Sequence, residues 1–339
     1  MVNPLDCEDV SAACPVEASI YGYYPSVVAN GGFAVFFAVC LVVNVLLGWR
    51  YRTWSYMAGL SLGCLFSAVG YAARVMLHKN PFNGLAFKVQ IVSLIIAPAF
   101  LSASLYLILK HVCFCFGDGY SRVRPALYTW IFITADTLSL VLQGVGGGIA
   151  ATAGDDGQLR DKGDAVTMAG ISWQVFTLVV FAWLALDYIL RRAWGLRRTP
   201  HRVEPLSEDA KTTASKRRFR FLAAGMGVAY LCILVRCVYR IAEMAGGWRN
   251  PIMQNQVLFI AFEGCMIITT VLLMTLLHPG YCFPRMSGKR GVIAKGGYMP
   301  MPQQFAPETL ALSERVSPYK AEPAGRTGTY EPYRATRPQ

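Results

Sequence analysis

Seven runs of about 20 or more predominantly apolar residues alternate with short polar stretches, which predicts seven membrane-spanning helices. The runs fall at 27–48, 54–75, 89–110, 126–149, 166–190, 219–244 and 256–277. Each spans roughly 33–39 Å as a helix, enough to cross a hydrocarbon core of about 30 Å with some tilt. The second run is rich in Gly and Ser. The fourth ends in Gly144, Gly146, Gly147 and Gly148, which predicts an irregular helix end. Pro98 inside the third predicts a kink with a freed carbonyl, or a proline of no special consequence.

The polar segments divide the chain into an N-terminal segment 1–26, a membrane domain 27–281 and a tail 282–339. The tail is rich in Pro, Gly and charge without apolar periodicity, so it is expected to be disordered. Ser317-Pro318 within it is a phosphorylation candidate on an otherwise solvated stretch. Orientation follows from the basic residues flanking the runs. Placing the N-terminus outside and the C-terminus in the cytoplasm puts 24 Lys and Arg inside and 6 outside. The expected fold is therefore an all-α bundle of seven transmembrane helices, multi-pass, in the plasma membrane or another cell membrane.

Composition agrees. The chain is 54% hydrophobic and 15% charged, where soluble domains carry about a quarter charged residues. The formal net charge of +12 allows nucleic acid or a membrane surface as partner. The basic residues sit beside the apolar runs, so nucleic acid is set aside. The N-terminus is acidic and lacks the basic region of a cleavable signal, so the first span is expected to act as its own signal.

The ten cysteines contain no CxxC pair. Cys7 and Cys14 are either bridged or two independent thiols. Cys113, Cys115 and Cys282 are juxtamembrane lipidation candidates. The four histidines, His78, His111, His201 and His278, lie in loops or at span ends, so neither a zinc site nor paired haem ligation is expected. No Lys lies between Lys216 and Lys289 to carry a retinal, and no GxxxxGK[ST] loop occurs. Neither a catalytic residue, a metal nor a cofactor is expected.

Charges inside a span cost roughly 2.5–3.5 kcal/mol each on insertion scales, so they need a partner, a cavity or a function. Five stand out: Asp136, Arg236, Arg240, Glu243 and Glu263. The spacing of Arg236, Arg240 and Glu243 puts them on one face of the sixth helix. Arg236 lies roughly 12 Å, and Glu263 roughly 10 Å, below the outer ends of neighbouring antiparallel helices, so a pair is geometrically available. Gln90, Gln143 and Gln174 lie near the same ends, Arg74 closes the second span there, and Asp136 is deeper. Two readings fit this layer. One is an ion-pair network that fixes packing, since interhelical polar bonds of about 0.6 kcal/mol are ordinary glue. The other is a ligand cavity lined by all nine residues. In that case the arginines 236 and 240 against three carboxylates leave one formal negative charge, which suits a cationic head.

In order along the chain come Tyr21-Gly-Tyr-Tyr-Pro-Ser with Asn30, Gly70-Tyr71 with Arg74, and Ala97-Pro98-Ala99 with Tyr106. They are followed by Asp136, Ser139 and Gln143 with Gly146-Gly-Gly, by Gly170 with Gln174, by Arg236, Tyr239, Arg240 and Glu243 with Gly246, and by His278-Pro-Gly. This series, over residues 20 to 281, resembles the fungal RTA-like proteins, also called lipid-translocating exporters. The chain departs from the family pattern at Ser67, Gln256 and Glu263, where Glu, Glu and Asp are usual. The resemblance implies a membrane protein that transports, translocates or confers resistance to amphiphiles: sphingoid long-chain bases, sterol-like amines, other lipids or porphyrins. The alternative is a seven-helix sensor for such an amphiphile, acting through a cytoplasmic partner. Membrane lipids or lipid-like amphiphiles are the expected partners in either case.

Overall fold

The computed structural model describes residues 9–11, 14–116, 125–153, 156–198, 217–246 and 250–282. Seven helices are long and apolar enough to cross a membrane. They are α1 (Val27–Tyr51), α2 (Trp54–Lys79), α3 (Gly84–Phe116), α4 (Pro125–Thr152), α5 (Gly157–Arg198), α6 (Arg217–Ala245) and α7 (Gln256–Leu276). Among the described residues there is no β-strand, only a bridge between Ser11 and Cys14. Cys14 is disulfide-bonded. Cys7, the tail beyond Cys282, and the side chains of His111, Cys113, Cys115 and Cys282 lie outside the described residues, as does His201.

Local chemistry sets the helix ends. The Ser26 hydroxyl accepts from the Ala29 N–H at the start of α1. Arg52, with φ of 56°, closes α1 in the left-handed conformation, and a two-residue link leads into α2. Asn83 accepts from Ala86 at the start of α3, and Asn255 accepts from Val257 and Leu258 at the start of α7. The Asp156 carboxylate accepts from Leu159, so α5 starts at Gly157, nine residues before the apolar run. It also runs on to Arg198, past the run's end at 190. Apolar content marks the lipid-crossing part of a helix, not the full length over which backbone hydrogen bonds continue.

α2 packs between α1 and α3, α4 pairs with α5, and α6 with α7. A core around Phe37, Tyr71, Leu101, Tyr106, Leu178 and Ile233 fills the centre. Large apolar side chains such as Val28, Leu46, Trp130 and Val257 point outward at more than 60% exposure, the pattern of a surface solvated by lipid. The irregular end expected for α4 is absent. α4 is helical through Thr152, and one of its glycines, Gly146, packs against α5. A Cβ on Gly146 would lie 2.5 Å from the Thr167 nitrogen and 2.6 Å from the Gly163 carbonyl oxygen of α5. Only a hydrogen at that position lets the two backbones approach so closely.

α7 is not uniform. Residues Phe259–Cys265 form a π-helical turn between α-helical segments Gln256–Leu258 and Met266–Leu276. Such wide turns concentrate at functional sites. This one contains Glu263.

Candidate functional site

Near the end of the bundle where α1 begins, α6 and α7 bring opposite charges together at one depth. Arg236 Nη2 lies 2.5 Å from Glu263 Oε1, and Arg236 Nε donates to the same oxygen at 3.1 Å. Both side chains are buried, at 3% and 1% exposure. Arg236 Nη2 also donates to the Leu94 carbonyl of α3 at 2.6 Å. Pro98 lies four residues beyond Leu94 inside α3 and has no N–H to offer that carbonyl. The freed oxygen expected from the sequence is thus taken by an arginine from another helix. Among the described residues one carboxylate oxygen, Glu263 Oε2, is buried without a partner.

One turn along α6, Arg240 Nη1 meets Glu243 Oε2 at 2.5 Å. The Glu243 backbone carbonyl accepts from the Asn250 amide, whose own oxygen accepts from Met253 N–H at 2.8 Å. These bonds tie the link between α6 and α7 back onto the end of α6.

Arg74 of α2 completes this group. It is 0% exposed. Its guanidinium carbon stands 3.7 Å from the Phe259 ring centre and 4.5 Å from that of Tyr21. Nη2 donates to the Tyr23 hydroxyl at 2.6 Å. Nε and Nη1 have no acceptor, and among the described residues no carboxylate forms an ion pair with Arg74. Tyr21 and Tyr23 come from the segment before α1, which turns back at Gly22 with φ of 69°. The Tyr21 hydroxyl accepts from Gln90 Nε2 of α3 at 2.8 Å. Burial raises the pKa of Tyr21, with Arg74 opposing it, and Glu243 and Arg240 act on the same ring. Burial pushes Tyr23 up to about 12, again against the pull of Arg74. Both are neutral phenols at physiological pH.

A separate polar group lies between α3, α4 and α5. The Tyr106 hydroxyl donates to Asp136 Oδ2 at 3.0 Å, and Thr177 donates to Asp136 Oδ1 at 3.4 Å. Gln143 Nε2 donates to Gln174 Oε1 at 3.3 Å. Asp136, Gln143 and Gln174 are all buried. Among the described residues none of the three bonds to an arginine.

The nine residues singled out in the sequence therefore form two groups. Arg74, Gln90, Arg236, Arg240, Glu243 and Glu263 come together, while Asp136, Gln143 and Gln174 stand apart. This corrects the charge balance drawn from sequence. Asp136 leaves the tally and Arg74 enters it, so the larger group holds three arginines and two carboxylates, one formal positive charge rather than one negative. The reason is rotational: Asp136 faces the hydroxyls of α3 and α5, and the N-terminal segment covers Arg74. Tyr21, Tyr23, Tyr106, Thr177 and Phe259 were not among the expected site residues. Tyr21, Tyr23 and Tyr106 belong to the motifs that carry the family resemblance, and that was their only signal. Among the described residues, no three His, Cys, Asp or Glu come together in a way that could hold a metal ion.

Comparison with known proteins points one way. The chain is 29% identical over 319 residues to a sphingoid long-chain base transporter, RSB1, of Saccharomyces cerevisiae (strain Lalvin EC1118 / Prise de mousse), covering 88% of this chain and 81% of the relative. It is 26% identical to Protoporphyrin uptake protein 1 of S. cerevisiae, covering 62% of this chain and 64% of that one. It is 26% identical to Protein RTM1 of S. cerevisiae, covering 66% and 69% respectively. No solved structure matches the chain. The family described as RTA1 like protein matches residues 60–286, well over half of the sequence and most of the seven-helix domain, and the chain belongs to that family.

Proposed function

We propose that this protein moves long-chain amphiphiles within or out of a membrane, with sphingoid-type long-chain bases among its substrates. The observation that carries this reading is the similarity to a sphingoid long-chain base transporter across 88% of the chain. The two relatives whose names state an activity are a transporter and an uptake protein, which favours movement over sensing and over catalysis.

The buried polar group, with three arginines and two carboxylates, carries a formal positive charge, so what it offers an amine head is a single free acceptor rather than a charge balance. Among the described residues Glu263 Oε2 is a buried acceptor without a partner, on a carboxylate whose other oxygen is held by Arg236, and an ammonium head supplies the donor that Oε2 lacks. Glu243, Gln90, Arg240 and Arg74 belong to the same buried group. Asp136, Gln143 and Gln174 form a second polar station between α3 and α5. In this reading the N-terminus lies outside, because 24 basic residues then face the cytoplasm and 6 the exterior. The plasma membrane is the proposed location, and no ATP is consumed by the chain itself.

Purified protein reconstituted in liposomes with a fluorescent long-chain base tests the reading. Protein-dependent movement several-fold above empty liposomes is expected, reduced about tenfold by Glu263→Gln. Movement of neither the base, a sterol-like amine nor a phospholipid analogue overturns it. Movement that the variant leaves intact keeps transport but removes Glu263 as the head-group acceptor.

A further inference from the structure

The two carboxylates of the larger polar group are each committed to an arginine, Glu263 to Arg236 and Glu243 to Arg240. Arg74 has none. A buried guanidinium without a counter-charge is costly, because its desolvation is not offset. Among the described residues two of its three nitrogens, Nε and Nη1, have no acceptor, and the third donates to the neutral hydroxyl of Tyr23. The rings of Phe259 and Tyr21 cover the guanidinium at 3.7 and 4.5 Å. Rings in those positions steady the group and leave its N–H edge as the part able to take up an acceptor.

We propose that Arg74 is the binding site for an oxyanion, the phosphate or carboxylate carried on the head of an amphiphile, which takes the place of the Tyr23 hydroxyl. The proposal rests on the reading of the chain as an amphiphile carrier and names a head-group chemistry that the long-chain base alone does not supply. Three features fit. The guanidinium fork matches a tetrahedral or planar oxyanion with charge-assisted bonds, which are about twice as strong as neutral ones. Tyr23 is only half-buried, and it belongs to a segment outside the spanning helices that turns at Gly22. Its hydroxyl is therefore the removable acceptor, while Phe259 sits in α7. Tyr23 is a neutral phenol, its pKa pushed further up to about 12 by burial, so it supplies no counter-charge of its own.

The test uses full-length protein in maltoside micelles, free of phospholipid, with four probes: a long-chain alkyl phosphate, the matching alcohol, the matching amine and inorganic phosphate. The parent is expected to bind the alkyl phosphate at least tenfold more tightly than the alcohol. Arg74→Lys, which keeps the charge but loses the planar fork, is expected to remove most of that preference. Tyr23→Phe removes a competing acceptor by deleting that hydroxyl, so it is expected to tighten alkyl phosphate binding three- to tenfold without affecting the alcohol. If Arg74→Lys does not accumulate, Tyr23→Phe decides the matter alone. Displacement of the alkyl phosphate by millimolar inorganic phosphate identifies a site open to free anions, and failure to displace it identifies one that requires the lipid tail. Equal affinity for phosphate and alcohol in the parent, or unchanged or weaker phosphate binding in Tyr23→Phe, overturns the proposal. Binding of the amine in that circumstance leaves the carrier reading standing, whereas loss of binding to every amphiphile removes the carrier reading itself.

Discussion

Arg236 of α6 donates to the carbonyl of Leu94 in α3, the one that Pro98 leaves without its helical donor. A proline that costs about 3 kcal/mol inside a helix is thereby turned into an anchoring point for a neighbouring arginine. The two positions should be energetically coupled. Arg236→Lys loses either Leu94 or Glu263, since an ammonium lacks the spread of the guanidinium. In a Pro98→Ala background the Leu94 carbonyl regains a donor, and the same Arg236→Lys change should cost about 1 kcal/mol less. A double-mutant cycle on unfolding in detergent measures this. Additive effects would show that the two residues act independently.

Asp136 sits among hydroxyls rather than cations. Asp136→Asn keeps an acceptor for Tyr106 and should change thermal stability little. Asp136→Leu removes the carboxylate acceptor of the buried Tyr106 hydroxyl and leaves it the neighbouring Ser102 hydroxyl, while Thr177 keeps its bond to the Gln174 carbonyl at 2.8 Å. That change should cost about 1–3 kcal/mol. Equal stability of the two variants would mean that the hydrogen bond contributes nothing.

The glycine run of α4 should respond in opposite directions at adjacent positions. Gly146→Ala drives a methyl group into the backbone of α5 and should destabilise by about 1–3 kcal/mol. A Cβ on Gly147 meets nothing within 4 Å, so Gly147→Ala should be neutral or stabilise by up to about 1 kcal/mol through better helix propensity. Melting temperatures of the two single variants are the measurement, and a shared sign is the outcome at odds with the packing described.

His278, just past the end of α7, is lowered by burial from 6.5 to about 4. Its ring accepts from the Gly280 N–H and lies beside Tyr51 and Tyr56. The unfolded chain takes up a proton near pH 6.5 that the folded chain refuses until about pH 4. Stability from this group is therefore full above pH 6.5 and falls as pH drops towards 4, by up to about 1.4 kcal/mol per pH unit. His278→Gln should flatten the decline over that window relative to the parent, read as the difference between two melting curves against pH. Parallel curves would rule out the neutral buried imidazole.

Position along the chain is legible in the sequence and rotation about each helix is not. Apolar runs mark spans directly, so seven helices and the matched depth of Arg236 and Glu263 come from counting residues. Which neighbour Asp136 faces depends on the azimuth of α4, and a charge in one sequence carries no azimuth. Arg74, five residues from the end of α2, is legible as a polar residue that closes its span and lines the candidate cavity, but its complete burial is not. Its burial depends on Tyr21 and Tyr23 folding back from a short polar segment that hydropathy treats as an extramembrane tail. The glycines of α4 mislead for a related reason. Alone they weaken a helix, and the facing Gly163 and Thr167 make an asset of Gly146, the one glycine of the run that meets α5.

The π-helical turn at Phe259–Cys265 means that α7 is two rods with separate indexing. One residue beyond a regular repeat offsets the rod before the turn by about 100° and 1.5 Å relative to the rod after it. The stretch that carries Phe259 to Arg74 is thus phased independently of the Met266–Leu276 stretch that packs on α6 and α1. Removing a single residue from the turn would leave the Met266–Leu276 rod seated and swing the aromatic ring off the guanidinium. The spare residue works as a phase setting, one that point substitution cannot reproduce and a one-residue deletion erases.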